Sequence, residues 1–186
     1  MDPSALIIVD VQPTFCEGGE LAVAGGNAVA EKVARWATDN RGSYRLIVTT
    51  QDWHIDPGAH FSATPDFVDT WPPHGLAGTP NAELHPALAG VAVDAAVKKG
   101  QRAAAYSGFE GVDPTGRSLD QILREAGVRT VDVVGLAESH CVAETAIDAA
   151  AHGFEARVIL DLTAPVSPEL GAAARERMSL AGIELV

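Results

Sequence analysis

Six short runs of β-branched and aliphatic residues constrain the fold more than any other feature of the chain. They are residues 5–11 (ALIIVDV), 45–50 (RLIVTT), 91–98, 131–136 (VDVVGL), 156–162 (ARVILDL) and 183–186. The runs are mostly continuous rather than alternating, the pattern of strands covered on both faces, as in a parallel sheet. Helical patterns lie between them. One covers residues 27–38 after Gly25-Gly26, and another covers 118–126, where Ser118 and Gln121 have capping-box spacing. A third covers 140–151 and ends before His152-Gly153; a fourth opens on Ser167-Pro168-Glu169, an N-cap, a proline at the first helical position and an acid in the first turn. The order β-α-β, long insert, β-α-β-α-β-α-β predicts an α/β fold with right-handed crossovers and helices on both faces. Ligands in such sheets sit at the carboxyl ends of the strands.

Size and charge narrow the function classes. The chain has 186 residues, and at roughly 150 residues per domain a single domain is expected. Lys+Arg total 13 and Asp+Glu 25, a formal charge of −12. That acidity argues against nucleic-acid partners and anionic membrane surfaces, which want a basic face. No apolar run reaches the roughly 18 residues of a membrane span, and Met1-Asp2-Pro3-Ser4 has no basic leader region. Two cysteines, Cys16 and Cys141, are too few for a disulfide framework, so a reducing, cytoplasmic setting is expected. No glycine-rich phosphate loop follows the first run, which speaks against dinucleotide or flavin binding.

The stretch 51–90 breaks the rhythm. It holds six prolines, two tryptophans and four of the six histidines. Trp53, Phe61, Phe67 and Trp71 argue against disorder, which is poor in aromatics, so a long functional loop is expected. Within it Asp52, His54, His60 and His74 follow D-x-H-x5-H-x13-H, directly after a strand end. Any one of these histidines alone would read as a surface loop residue. Together, imidazoles and a carboxylate suit one divalent ion such as Zn, Fe or Mn. His85-Pro86 reads as a turn, and His152 as a helix-end residue favouring the helix dipole.

Other residues carry chemistry only in combination. Asp10 ends an apolar strand, where a carboxylate either caps a turn or is paired and working. Cys141, in LAESHC, opens a helix after a strand. A helix start favours a thiolate and offers amides to an oxyanion, yet most free cysteines are small buried hydrophobes, and position leaves both readings open. Cys16, in a Glu/Gly-rich loop, reads as inert. Lys98-Lys99 ends the third run; neighbours on a strand point oppositely, so at most one enters a cleft. An acid, a cation and a thiol brought to one sheet edge would form a nucleophilic set.

These residues, with ALIIVDVQ-x2-FCEGG-x-LAV-x-GG, QDWHIDPGAHFSATPD, TWPPHGLAGTP, KGQRAAAYSGFEGVD, DVVGLAESHCV and RVILDLTA, span nearly the whole chain in order. The chain resembles the nicotinamidase/pyrazinamidase branch of the isochorismatase-like cysteine hydrolases. The resemblance implies a three-layer, Rossmann-like α/β/α fold on a six-stranded parallel sheet. It implies a triad of Asp10, Lys99 and Cys141, choosing Lys99 over Lys98, and metal ligation by Asp52, His54, His60 and His74. It places Phe15 and Trp71 against a substrate ring, with Tyr106 and His140 nearby. It implies a cis Leu136–Ala137 peptide and an oxyanion hole from the amides of Ala137 and Cys141. The implied activity is hydrolysis of nicotinamide, and of pyrazinamide, by a monomer or homo-oligomer acting on a small carboxamide; a related amide or ureido hydrolase and a non-catalytic metal-binding protein are the alternatives. Two departures stand out: Gly75 occupies a position where actinobacterial pyrazinamidases carry cysteine, and the 101–105 run differs from the family's usual small and aromatic residues.

Overall fold

A computed structural model describes residues 3–186; Met1 and Asp2, part of the segment read as lacking a basic leader, lie outside the described residues. Six strands form one sheet: β1 (Ser4–Val9), β2 (Leu46–Asp52), β3 (Ala95–Lys99), β4 (Thr130–Leu136), β5 (Glu155–Ala164) and β6 (Glu184–Leu185). Their order is β3-β2-β1-β4-β5-β6 and every pairing is parallel. The six-stranded parallel expectation holds. β1 lies between β2 and β4 and is buried along nearly its whole length, which is why its sequence is continuous rather than alternating.

The strands' side chains divide between two cores. Ala5, Ile7 and Val9 face a cluster with α2 (Leu119–Glu125), α3 (Ala143–Ala151) and α4 (Pro168–Leu180). Leu6 and Ile8 face a second cluster with α1 (Gly26–Asp39). Each fully buried isoleucine stabilises the fold by about 1.5–3 kcal/mol, so the period of two along β1 commits both faces at once. Helix starts follow local chemistry. Ser118 and Gln121 exchange both capping-box bonds, and Ser167 accepts from the Leu170 amide. The first amides of α1 are capped by Glu17, whose carboxylate accepts from Gly25 and Asn27, a contact its position ten residues upstream concealed.

Boundaries differ from expectation at three places. The third strand begins at Ala95 rather than 91 because Pro86–Gly90 forms a 3-10 turn and Asp94 is occupied, accepting from the Ile47 amide at 2.7 Å and from Arg41. The helix expected from residue 140 is instead a π-helical turn, Glu138–Val142, leading into α3. The fifth strand extends to Ala164, with a register shift against β4 between Val133 and Gly135. From the centre the chain builds outward to β3, returns to β4 beside β1, then builds the other way. The carboxyl ends of β1 and β4 therefore flank the point where the connections part, which in open α/β sheets is the binding crevice.

Candidate active site

Asp10 follows β1 in left-handed backbone (φ 46). Its amide donates to Thr50, and the Thr50 hydroxyl donates to its Oδ1. The register pairs Asp52 at the end of β2 with Lys99 at the end of β3. Lys99 reaches over Asp52 toward the sheet centre: its Nζ donates to Asp52 Oδ1, lies 2.9 Å from Asp10 Oδ2 and stands 3.5 Å from Cys141 Sγ. Lys98 turns the other way, its ammonium 3.1 Å from the centroid of the Trp53 ring. The alternation expected of neighbouring strand residues thus separates the two lysines by geometry.

Three acids and one cation share this buried space. Burial pushes the Asp10 carboxyl up, and the Asp52 charge adds to it against Lys99. Burial likewise pushes the Cys141 thiol well up; Lys99 opposes, and Asp10 and Asp52 add to the rise. Burial acts against ionisation of Asp52 as well, but the Lys99 charge outweighs it and holds that carboxyl well below its usual range. Lys99 has the reverse balance: burial opposes its charge, and Asp10 and Asp52 outweigh burial, so it stays protonated. The Asp52–Lys99 ion pair is therefore favoured, while burial works against ionisation of both Asp10 and the thiol.

The histidines meet on the other side of Asp52. Ligand atoms of His54, His60 and His74 lie within 4.8 Å of one another. His54 Nδ1 is 2.6 Å from the Gly100 carbonyl and His74 Nδ1 is 2.8 Å from the Pro72 carbonyl. A carbonyl only accepts, so both Nδ1 atoms carry the proton and both Nε2 atoms present lone pairs. Those Nε2 atoms are 3.3 Å apart, and stand 3.5 Å and 3.6 Å from Asp52 Oδ2. His60 Nδ1 is buried without a hydrogen-bond partner among the described residues. Burial, then the neighbouring His74 and His54, holds the His60 pKa down to about 4, so its ring is neutral. Converging acceptors oriented by outer carbonyls are what a divalent cation requires, and the residues fit one. The Gly100 carbonyl reaches His54 only because residue 100 has no side chain: a Cβ would lie 2.5 Å from His54 Cε1, and φ is +71.

A cavity of about 290 Å³ opens over both groups, the small end of ligand pockets. Phe15, Trp71, Tyr106 and His140, all expected near a substrate ring, line it together with Cys141 and Ala137. The Trp71 indole N–H donates to the Tyr106 hydroxyl at 3.0 Å, and the His140 ring meets Trp71 edge-on at 5.4 Å. The Leu136–Ala137 peptide is cis. Sequence reasoning missed two features. Phe67 also lines the cavity, edge-on to Trp71, from a loop tip where the Asp66 carboxylate gathers the amides of Val68, Asp69 and Thr70; an aromatic four residues before Trp71 was the available signal. Asp52 is also shared, one oxygen toward Lys99 and the other toward the histidines, a link no linear spacing reveals. Cys16 is buried against α1, and burial, with the Glu17 charge, pushes its thiol up to about 11.

Residues 4–186 match the isochorismatase domain family. The chain is 52% identical over 182 residues to the nicotinamidase/pyrazinamidase of Mycobacterium tuberculosis, covering 98% of this chain and 97% of that protein. Among solved structures it is similar to a Pyrococcus horikoshii pyrazinamidase in complex with zinc (TM-score 0.85, 37% identity, 98% of each chain). It is also similar to an L. infantum PnC1 protein in complex with nicotinate (TM-score 0.86, 35% identity, 99% of this chain and 92% of that one). Sheet order, crevice and near full-length similarity agree, and the chain belongs to the isochorismatase family.

Proposed function

We propose that this protein is a metal-dependent amidohydrolase that converts nicotinamide to nicotinate and ammonia through a thioester on Cys141, and that it hydrolyses pyrazinamide in the same way. The observation that carries the reading is Lys99 between Asp10 (2.9 Å) and Cys141 (3.5 Å), in one cavity with the Asp52–histidine group. The nicotinamidase names of the relatives, and the nicotinate and zinc in their structures, support it.

Asp10 takes the Cys141 proton and the thiolate adds to the carboxamide carbon. The amides of Ala137 and Cys141 receive the oxyanion, each contributing about 3 kcal/mol. Asp10 returns the proton to the amide nitrogen as the C–N bond breaks, and ammonia leaves. Water then gives a proton to Asp10 and adds to the thioester; the C–S bond breaks, nicotinate is released and the thiol is restored. Lys99 stabilises the ionised states of Asp10 and the thiol. Phe15 and Trp71 hold the ring, with Tyr106 and His140 completing its enclosure. Asp52, His54, His60 and His74 would hold a zinc, iron or manganese ion, which when bound would supply a Lewis acid for the pyridine nitrogen of the ring. The whole chain acts as one catalytic domain, with the metal-binding insert at 51–90. We place the reaction in cytoplasmic NAD salvage, a setting that fits two free, buried cysteines.

Ring geometry tests this reading. Nicotinamide sets its nitrogen meta to the carboxamide and pyrazinamide offers one there too; benzamide has none, and isonicotinamide misplaces it. Misplacing a reacting carbon by about 1 Å costs on the order of a hundredfold. Ammonia release by metal-loaded protein should therefore show kcat/KM for benzamide and isonicotinamide at least about tenfold below nicotinamide and pyrazinamide, a gap of ~1.4 kcal/mol. Equal rates for benzamide and nicotinamide would reassign the protein to a different amide.

A further inference from the structure

One buried carboxylate beside the site has no part in the chemistry above. Glu138 opens the π-helical turn that carries Cys141, and it is 1% exposed. A carboxylate buried this far must be paired to be tolerated, and both its oxygens are. Arg175 Nε donates to Oε1 at 2.7 Å, and Arg175 Nη2 donates to Oε2 at 3.2 Å. The Thr163 hydroxyl donates to Oε2 at 2.7 Å. Thr163 lies in β5 and Arg175 in α4, so one side chain ties the nucleophile turn to two separate elements. The next residue adds a parallel tie: Ser139 Oγ accepts from the Val166 amide at 3.1 Å and bonds His140 Nδ1 at 2.9 Å. α4 comes close enough for this because residue 171 is glycine; a Cβ there would lie 2.8 Å from the Pro165 side chain and 3.5 Å from Glu138 Oε1.

We propose that Glu138 is a positioning residue, gripped by Thr163 and Arg175, that fixes the turn so that Cys141 Sγ and the amides of Ala137 and Cys141 address one carbonyl. This rests on the amidohydrolase reading for its effect on turnover. An oxyanion hole works only when its donors stand at the place where charge develops, and a turn tied at one end alone is free to shift by the fraction of an ångström that matters. Glu138 touches neither the substrate cavity nor the metal ligands. Its effect is therefore on the rate of the chemical step and not on substrate or ion affinity.

Three variants test it: Glu138→Ala, Arg175→Ala and Glu138→Gln. Glutamine keeps an oxygen for Arg175, and its amide can donate to Thr163, whose own proton then goes to the Leu160 carbonyl already 2.9 Å away. In Glu138→Ala and Arg175→Ala, kcat for nicotinamide per metal-loaded molecule is expected to fall about a hundredfold, with KM within about twofold and metal content unchanged. Glu138→Gln should recover most of that loss. The rate constant for carbamidomethylation of Cys141 by iodoacetamide, read by mass spectrometry, should rise about fivefold in both alanine variants, as the thiol leaves the burial and the carboxylates that hold it protonated. Cys16, buried in the other core, is labelled only when the chain opens and so serves as the unfolding control in the same molecule, and neither rate depends on turnover. If the wild type fails to hydrolyse nicotinamide, the amidohydrolase reading fails, and alkylation of Cys141 alone decides this proposal. If Glu138→Ala does not fold, Arg175→Ala decides, since the Arg175 side chain is half-exposed. Alkylation of Cys141 within about twofold of the wild-type rate, or rising only in step with that of Cys16, or kcat within about threefold of wild type in Arg175→Ala, overturns it.

Discussion

Lys99 sits among three acids, Asp10, Asp52 and the Cys141 thiol, with its side chain wholly buried. Removing it leaves two carboxylates in low dielectric without their cation. Lys99→Met should therefore lower stability by about 3–5 kcal/mol, a drop in Tm on the order of 10 °C for a chain this size, readable by thermal denaturation, besides ending turnover. A variant as stable as wild type would mean that Asp10 and Asp52 are not charged together in the fold. The cysteines divide by environment. Cys141→Ala should abolish ammonia release while leaving fold and metal content intact, because no other group replaces a covalent nucleophile. Cys16→Ser should keep most activity, since that thiol packs against α1 and its pKa lies near 11; loss of turnover there in a folded, metal-bound protein would overturn the choice of nucleophile. At this scale the sequence marked the residue types but not their pairings. Asp10 and Cys141 each kept an ordinary reading until the strands brought them to one edge, and Lys99 was told from Lys98 only by resemblance, until the register set it beside Asp52.

Among elements, the regular ones were legible because their signals are local. Continuous apolar runs marked the strands, and Ser118 with Gln121 and Ser167 with Pro168 marked helix starts that the structure keeps. The start of β3 was not legible, because Asp94 is drawn to Ile47 and Arg41, both distant in sequence. The π-helical turn was not legible either: what holds it, Thr163 and Arg175 on Glu138, comes from the chain after it. The metal loop depends on contacts of the same kind. His74 is one of four donors, and His74→Ala should lower bound metal by elemental analysis, because a first ligand inside a loop is not replaced by water without loss. Gly100 supports the site without being a ligand. A Cβ at residue 100 would collide with the His54 ring at 2.5 Å in left-handed backbone, so Gly100→Ala should displace that imidazole. A tenfold or greater weakening of metal affinity is expected, in the range reported for lost outer-shell support of about 10–100-fold, measured by competition with a chelator. Unchanged affinity would show that His54 is held by its neighbours rather than by the Gly100 carbonyl.

Over the whole molecule, topology decides where the chemistry can be and charge decides what drifts toward it. The strand order puts Asp10 and the Cys141 turn on adjacent strands whose connections run to opposite sides, and the crevice opens between them. The order of elements in the sequence implies helices on both faces and a site at the strands' carboxyl ends; that β1 and β4 are neighbours is seen only in the fold. The charge has a separate consequence. At a formal −12 the protein repels anions at long range. Glu20 lines the cavity, and Asp66 and Asp69 flank Phe67 at its rim, all exposed. Nicotinamide is neutral and feels little of this field, whereas nicotinate carries a negative charge and is pushed outward, which favours product release. Salt screens that repulsion, as the Debye length falls from about 30 Å at 0.01 M to about 8 Å at 0.15 M. Over that range kcat/KM for nicotinamide should stay within about twofold, while inhibition by nicotinate should become severalfold tighter. The opposite sign, with inhibition weakening as salt rises, would show that Lys99 and the bound cation govern the anion's approach and that the acidic surface does not.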